Sequence, residues 1–247
     1  ISVVIPTLNE EAFIGDCLRS IRAQGVPCEI IFVDGGSTDR TVEIARVYAD
    51  KVVVLKRRGV GLARDYGARM AVGDIIVSAD GDCVYAHGWL KALTEPFNRP
   101  DVVAVGGSFK PRKPSPLANQ FAGSLNFFAS NFKLFAGSNM AFRKDVFIKV
   151  GGYRKLLKGE DWDLSLRLAS VGKLVYEPSA VCYVDVPVNR KAEMASQPLA
   201  VGMLMTGHTF LAGMATGFLG TELITTFVQE PSPIHHSQIG LAGLTAV

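Results

Sequence analysis

Short apolar runs rich in β-branched residues recur through the first eighty positions: 2–5 (Ser-Val-Val-Ile), 29–33 (Glu-Ile-Ile-Phe-Val), 52–55 (Val-Val-Val-Leu) and 75–79 (Ile-Ile-Val-Ser-Ala). Runs of this length, bounded by Pro, Gly or Asp, read as buried strands. The intervening stretches follow a helical period instead. Phe13, Ile14, Cys17, Leu18 and Ile21 predict an amphipathic helix, with Asn9 or Thr7 as its cap and glutamates in its first turn, stopping near Gly25 and Pro27. Residues 40–49 predict a second helix. Strands alternating with helices of this length predict an α/β fold with a mostly parallel central sheet flanked by helices. Ligands of such sheets gather at the carboxyl ends of the strands.

Three predicted strand ends carry polar loops, at 6–10, 34–39 and 80–82. The last, Asp80-Gly81-Asp82, places two carboxylates two positions apart with a glycine between them, so that both leave an extended chain on the same side. Such a pair suits Mg²⁺ or Mn²⁺, whose remaining ligands are usually water and phosphate oxygens. An acidic turn closing a buried strand is the plainer alternative. Nucleotide-binding loops of other kinds are not found: no G-x-x-x-x-G-K-[ST] occurs, and the first strand and helix are joined by Pro-Thr-Leu-Asn-Glu rather than a glycine-rich turn. Residues 57–64 combine arginines and glycines ahead of a helix, as phosphate contacts require, or form an ordinary solvated basic loop.

Further along, residues 107–116 hold Lys110, Arg112, Lys113 and three prolines and predict a loop. The stretch 119–135 carries Phe121, Phe127, Phe128, Phe132 and Phe135, predicting a core-facing helix or an aromatic platform beside an acceptor. Glu160 and Asp161 precede Trp162, Leu164, Leu166 and Leu168, a pattern that also suits a plain helix N-terminus. Composition narrows the class: 48% apolar and 20% charged residues indicate a globular chain with a real core, and a net charge of +3 argues against a nucleic acid partner. The four cysteines are scattered, without a Cys-x-x-Cys pair, which fits a reducing compartment and neither disulfides nor zinc. Residues 1–6 form too short an apolar run for a secretory leader, so a cytoplasmic location is expected. All Lys and Arg residues lie at or before Lys191. The region 191–247 is expected to be an apolar helical tail: residues 199–221 carry no charge and include Gly213-x-x-x-Gly217, which suits a packed helix, an interfacial one or a membrane span. In the latter cases the protein would sit at the cytoplasmic face of a membrane. His235 and His236 are an expected solvated pair rather than metal ligands.

Taken in series, these residues resemble the family 2 glycosyltransferases of the GT-A fold. The resemblance rests on Val-Val-Ile-Pro-Thr-Leu-Asn-Glu-Glu (3–11), Ile-Phe-Val-Asp-Gly-Gly-Ser-Thr-Asp-Arg-Thr (31–41), Gly-Leu-Ala-Arg-Asp-x-Gly (61–67), Asp80-Gly81-Asp82, Gly-Ser-Asn-Met-Ala-Phe-Arg (137–143) and Gly-Glu-Asp-Trp-Asp-Leu-Ser-Leu-Arg-Leu (159–168). These segments run in the family's order over about 1–185. The resemblance implies a catalytic domain over 1–190, with a nucleotide-sugar half to about 105 and an acceptor half from 106.

It also implies roles. Pro6, Thr7 and Glu10 would line the nucleoside pocket, Asp34 would accept a hydrogen bond from the base, and Arg64 would sit near the diphosphate. Asp80 would contact ribose or metal, and Asp82 would be the main protein ligand of Mn²⁺ or Mg²⁺. Gly137, Ser138 and Asn139 would lie on the acceptor side. Asp161 would be the general base of an inverting displacement, with Glu160 as its neighbour or substitute. Two positions depart from the family's habit: Gly35 stands where a second acidic residue is usual, and Asp65 where Asn is common. The implied reaction moves one sugar from a nucleoside-diphosphate donor, UDP- or GDP-linked, to a hydroxyl of a glycan, lipid carrier or protein. A Gln-x-x-Arg-Trp motif of processive synthases surrounds neither Trp89 nor Trp162. The competing readings are a sugar nucleotidylyltransferase, which should show a glycine-rich basic loop at 6–11, and an inactive nucleotide-sugar binding module, which need not keep Asp80, Asp82 and Asp161.

Overall fold

The computed structural model describes residues 1–56, 58–156 and 159–185, and the predicted apolar tail, with His235 and His236, lies outside them. The described chain alternates strands and helices as the pattern predicts. Its elements are β1 Ser2–Thr7, α1 Ile14–Arg22, β2 Glu29–Asp34, α2 Thr41–Tyr48, β3 Lys51–Val54, α3 Val60–Met70 and β4 Ile75–Ala79. They continue with β5 Val84–Tyr85, α4 Trp89–Thr94, β6 Val102–Pro111, α5 Pro116–Phe132, β7 Asn139–Arg143, α6 Lys144–Lys149, α7 Glu160–Ala169 and β8 Lys173–Val184.

One sheet joins all eight described strands in the order β3-β2-β1-β4-β7-β6-β8-β5. The first four pair in parallel, as strands linked by crossover helices must. Strand β7 is antiparallel to both β4 and β6. Beyond it, β8 is parallel to β6 and β5 is antiparallel to β8. Because successive side chains leave opposite faces of a strand, β1 feeds two cores. Val3 and Ile5 pack with Ile14, Leu18 and Trp89 on one face, while Val4 joins Ala63, Phe147 and Leu164 on the other. The carboxyl ends of β1, β2, β4 and β6 therefore meet along one edge of the sheet.

Two local expectations are corrected. Helix α1 begins at Ile14 behind Phe13, with no side-chain cap. Asn9 instead adopts a left-handed conformation (φ 55°) and accepts the N–H of Thr38 at 2.8 Å, so its side chain serves the neighbouring loop. The acidic residue in the first turn of α1 is Asp16 rather than Glu10 or Glu11. Residues 107–111, expected as loop, are the end of β6. The absence of a side chain at Gly106 lets the ring of Phe135 lie on the strand, and Gly107 packs against Ala180 O and the amide of Asn139. Helix α5 appears as expected, capped by Ser115, but it buries Ala118, Ala122, Phe128 and Ala129 and leaves Phe127 exposed.

Candidate active site

The site is assembled from the carboxyl ends of β1, β2 and β4, helix α3, the turn before β7 and the start of α7. Its first wall is made by two loops joined through side chains. Asn9 N donates to Ser37 Oγ at 2.8 Å, Glu10 N to Thr41 Oγ1 at 2.8 Å, and Arg40 N to Glu11 Oε2 at 2.9 Å. Asp34 is fully buried beneath them. Its Oδ2 accepts the N–H groups of Gly36 and Ser37 at 2.8 Å each, and its Oδ1 accepts the Ser37 hydroxyl. Asp34 is thus the cap of the 34–37 loop before any ligand is considered. Gly35 donates to Thr7 O at 2.8 Å, and a Cβ at Gly35 would make ordinary contacts with Thr7 O and Leu8, so the position has room for a side chain.

The Asp80-Gly81-Asp82 turn faces this wall. A Cβ at Gly81 would stand 2.6 Å from Thr7 Cγ2 and would collide with Glu10 Oε2. Only glycine permits so close an approach of the first and fourth strand ends. Pro6 is buried within β1, paired with Val33, and supports Thr7 from behind. Asp82 is half-buried, with Cys83 Sγ 3.5 Å from its Oδ1.

Arg64 is the central cation, buried at 4% exposure. Its Nη2 donates to Asp80 Oδ1 at 2.6 Å and its Nη1 to Glu160 Oε1 at 2.5 Å. Burial alone would weaken its hold on the proton, but Asp80, Tyr153, Asp161 and Glu160 together drive its basicity above the ordinary value. The backbone of Gly137 lies flat on the guanidinium, where a Cβ would be 2.5 Å from Cζ. Arg64 therefore joins the carboxylate of the Asp-Gly-Asp turn to the one that opens α7. Its neighbour Asp65 points to the opposite side of α3, where Oδ1 accepts Tyr153 N at 3.0 Å and Oδ2 pairs with Arg69 at 2.7 Å. That bond fastens the segment leading toward α7.

Helix α7 starts behind Gly159 in a left-handed conformation (φ 79°), with Glu160, Asp161 and Asp163 in its first turn, a placement the helix dipole favours. Glu160 is buried against Arg64, and burial followed by the neighbouring Asp161 charge pushes its carboxyl up, with Arg64 opposing. Asp161 is half-buried. Its Oδ2 accepts Gly137 N at 2.8 Å and its Oδ1 accepts Trp162 N at 2.9 Å, which leaves lone pairs on both oxygens. Gly137 and Ser138 thus form the turn that holds Asp161. Asn139 faces inward: its Oδ1 accepts Trp89 Nε1 at 2.7 Å and its Nδ2 donates to Ser108 O and Ala180 O at 2.9 and 3.0 Å.

Among the described residues, no group of three or more His, Cys, Asp or Glu side chains is placed to hold a metal ion. The Asp80/Asp82 pair is a hard-oxygen donor set too small for a closed cage. It fits a cation that takes its remaining ligands from water and a diphosphate.

The segment from residue 2 to residue 151 matches the family model described as Glycosyl transferase family 2, and the chain belongs to that family. Among similar curated proteins, a glucosyl-dolichyl phosphate glucuronosyltransferase of Haloferax volcanii is 30% identical over 173 residues, covering 62% of this chain and 55% of its own length. Glycosyltransferase AglE of the same organism is 29% identical over 188 residues, covering 70% of this chain and 62% of its own length. The chain therefore spans less than two thirds of either relative. Among solved structures, a mannosyltransferase, PcManGT from Pyrobaculum calidifontis in complex with GDP-Man and Mn²⁺, superposes with a TM-score of 0.65 at 23% identity, over 91% of this chain and 78% of its own. S. aureus TarS 1-349 in complex with UDP-GlcNAc superposes with a TM-score of 0.61 at 21% identity, over 75% of this chain and 58% of its own. At these identities the likeness shows a shared GT-A fold.

Proposed function

We propose that the chain is the catalytic part of an inverting glycosyltransferase that moves one sugar from a nucleoside-diphosphate donor to a hydroxyl acceptor. One observation carries the reading: Arg64 brings Asp80 of the Asp-Gly-Asp turn and Glu160, next to Asp161, to opposite ends of a single guanidinium. A diphosphate-and-metal site and a candidate base thereby share one wall. The family membership supports the reaction class. The donors named with the two structural neighbours, GDP-Man and UDP-GlcNAc, support a nucleotide-sugar donor, and the dolichyl phosphate in one relative's name makes a glycan or lipid carrier the favoured acceptor.

In this reading Pro6, Thr7, Glu10 and the 34–37 loop form the nucleoside side of the pocket. Asp82 and Asp80 would hold a divalent cation, Mn²⁺ or Mg²⁺, which would supply positive charge toward the departing diphosphate. Arg64, buried with both terminal nitrogens on carboxylates, acts by fixing Asp80 rather than by reaching the phosphates. The acceptor hydroxyl gives its proton to Asp161 as its oxygen bonds to the anomeric carbon from the face opposite the diphosphate. The anomeric C–O bond breaks, and its electron pair leaves with the nucleoside diphosphate. Asp161 is the better base because each of its oxygens keeps a free lone pair, whereas Glu160 is committed to Arg64.

Calorimetry and thermal shift with UDP, GDP and TDP, each with and without Mn²⁺, test the donor site. Stabilisation by one nucleotide that needs the metal and disappears in Asp82→Ala is expected. Folded protein that binds none of the three would remove the donor-site reading in favour of an inactive module.

A further inference from the structure

Beside the carboxylates lies a buried hydroxyl with a role of its own. Tyr85 is 3% exposed, and its ring lies against Trp89, tilted by 31° with centroids 4.0 Å apart. Its Oη accepts the N–H of Asp80 at 2.9 Å and donates to the carbonyl of Ser138 at 3.0 Å. One residue earlier, Gly137 N donates to the Asp161 carboxylate at 2.8 Å. A short hydrogen-bonded path therefore leads from the backbone of the Asp-Gly-Asp turn, through one phenol, to the turn that holds the candidate base. The other side of that turn is pinned by the bond from Trp89 to Asn139. A phenol accepts one hydrogen bond and donates another at once, which is the role Tyr85 fills between Asp80 and Ser138.

We propose that Tyr85 is a positioning residue that couples the donor-binding turn to the turn holding Asp161, so that seating the diphosphate and aligning the base are a single event. The inference rests on the glycosyltransferase reading given above. The two turns continue the paired strands β4 and β7, in which Ala79 lies opposite Asn139, and removing the hydroxyl leaves the Asp80 N–H and the Ser138 carbonyl at the end of that ladder without their shared partner. Misplacement of reacting groups by about 1 Å lowers rates by about 100-fold.

The test compares the wild-type chain with Tyr85→Phe. Nucleotide release from UDP-glucose, UDP-GlcNAc and GDP-mannose is followed with Mn²⁺, alongside calorimetry of UDP and GDP. We expect kcat to fall about tenfold or more while the nucleotide Kd changes less than about threefold. A kcat within about twofold of wild type, or a loss matched by an equal loss of nucleotide affinity, overturns the coupling. A second measurement needs no variant. In wild type, binding of Mn²⁺ with UDP or GDP should slow amide exchange across 136–140, and unchanged exchange with nucleotide shown to be bound overturns the inference. A wild type that neither binds nor releases nucleotide overturns the glycosyltransferase reading and takes this inference with it, an outcome distinct from an active enzyme indifferent to Tyr85.

Discussion

Adjacent carboxylates in α7 have different surroundings, and substitution should separate them. Asp161→Asn keeps the shape, but its single oxygen can accept from only one of the Gly137 and Trp162 N–H groups, and it cannot take a proton. Loss of a general base typically lowers kcat by about 10²–10⁴, with nucleotide affinity and melting temperature near wild type. Glu160→Gln should do the reverse in kind. It removes one of the two carboxylates balancing a cation that is 4% exposed, and breaking a buried pair costs about 3 kcal/mol, readable in urea unfolding. If Glu160→Gln unfolds like wild type, the Arg64 bridge is not a structural bond. Both acids are legible in the sequence, since acids ahead of an apolar helical repeat mark a helix start. Their division of labour is not, because it depends on Arg64, which lies 96 positions away. Tyr85 was missed for the same reason. No spacing ties residue 85 to residue 138, and the available hint is that a buried tyrosine hydroxyl needs a partner.

At the level of elements, one side chain fastens four segments. Glu29, at the start of β2, accepts Ser2 Oγ of β1 at 2.6 Å and Val72 N beyond α3 at 3.1 Å, and pairs with Lys51 Nζ of β3 at 2.6 Å. Burial pushes its carboxyl up, but the bonds from Lys51, Ser2 and the Val72 N–H outweigh it and leave the group below its ordinary 4.5. The native state therefore holds this carboxylate ionised at pH values where the unfolded chain has begun to protonate it. The resulting stability is complete above about pH 4.5 and is lost as the pH falls through the lower native value. Glu29→Gln should melt below wild type at pH 7, with the gap narrowing as melting is repeated toward pH 3. A constant gap would show that shape, not charge, matters there. The parallel half of the sheet was readable because each of its strands is a β-branched run between turn residues. Strand β6 was obscured at its end because Gly107 and the prolines after it read as loop, though Gly107, like Gly106 before it, lies in the strand. The glycines are there to admit Phe135, Ala180 and Asn139, contacts that appear only when distant segments meet. The cap of α1 was misassigned because Asn9 is drawn to the 34–41 loop, which local pattern cannot register.

For the molecule as a whole, the proposed cation would belong to the ligand rather than to the fold. Two carboxylates in a polar turn cannot replace a core, and the described core is built from two apolar clusters on opposite faces of one sheet. EDTA should leave the melting temperature of the nucleotide-free protein unchanged and lower it only in the presence of the nucleotide that binds. A fall without nucleotide would mean that metal supports the fold itself. The strand order carries a consequence for how the chain is made. In the sheet β4 is flanked by β1 and by β7, and β7 begins at Asn139 while β4 ends at Ala79. As the polypeptide leaves the ribosome, N-terminal end first, Ile76 and Val77 emerge with one edge still bare of its partner. That edge is a template for pairing with any other extended chain. It stays open until the whole stretch 80–143 has followed, so the nascent protein passes through a stage in which the strand leading into its Asp-Gly-Asp turn is an adhesive edge.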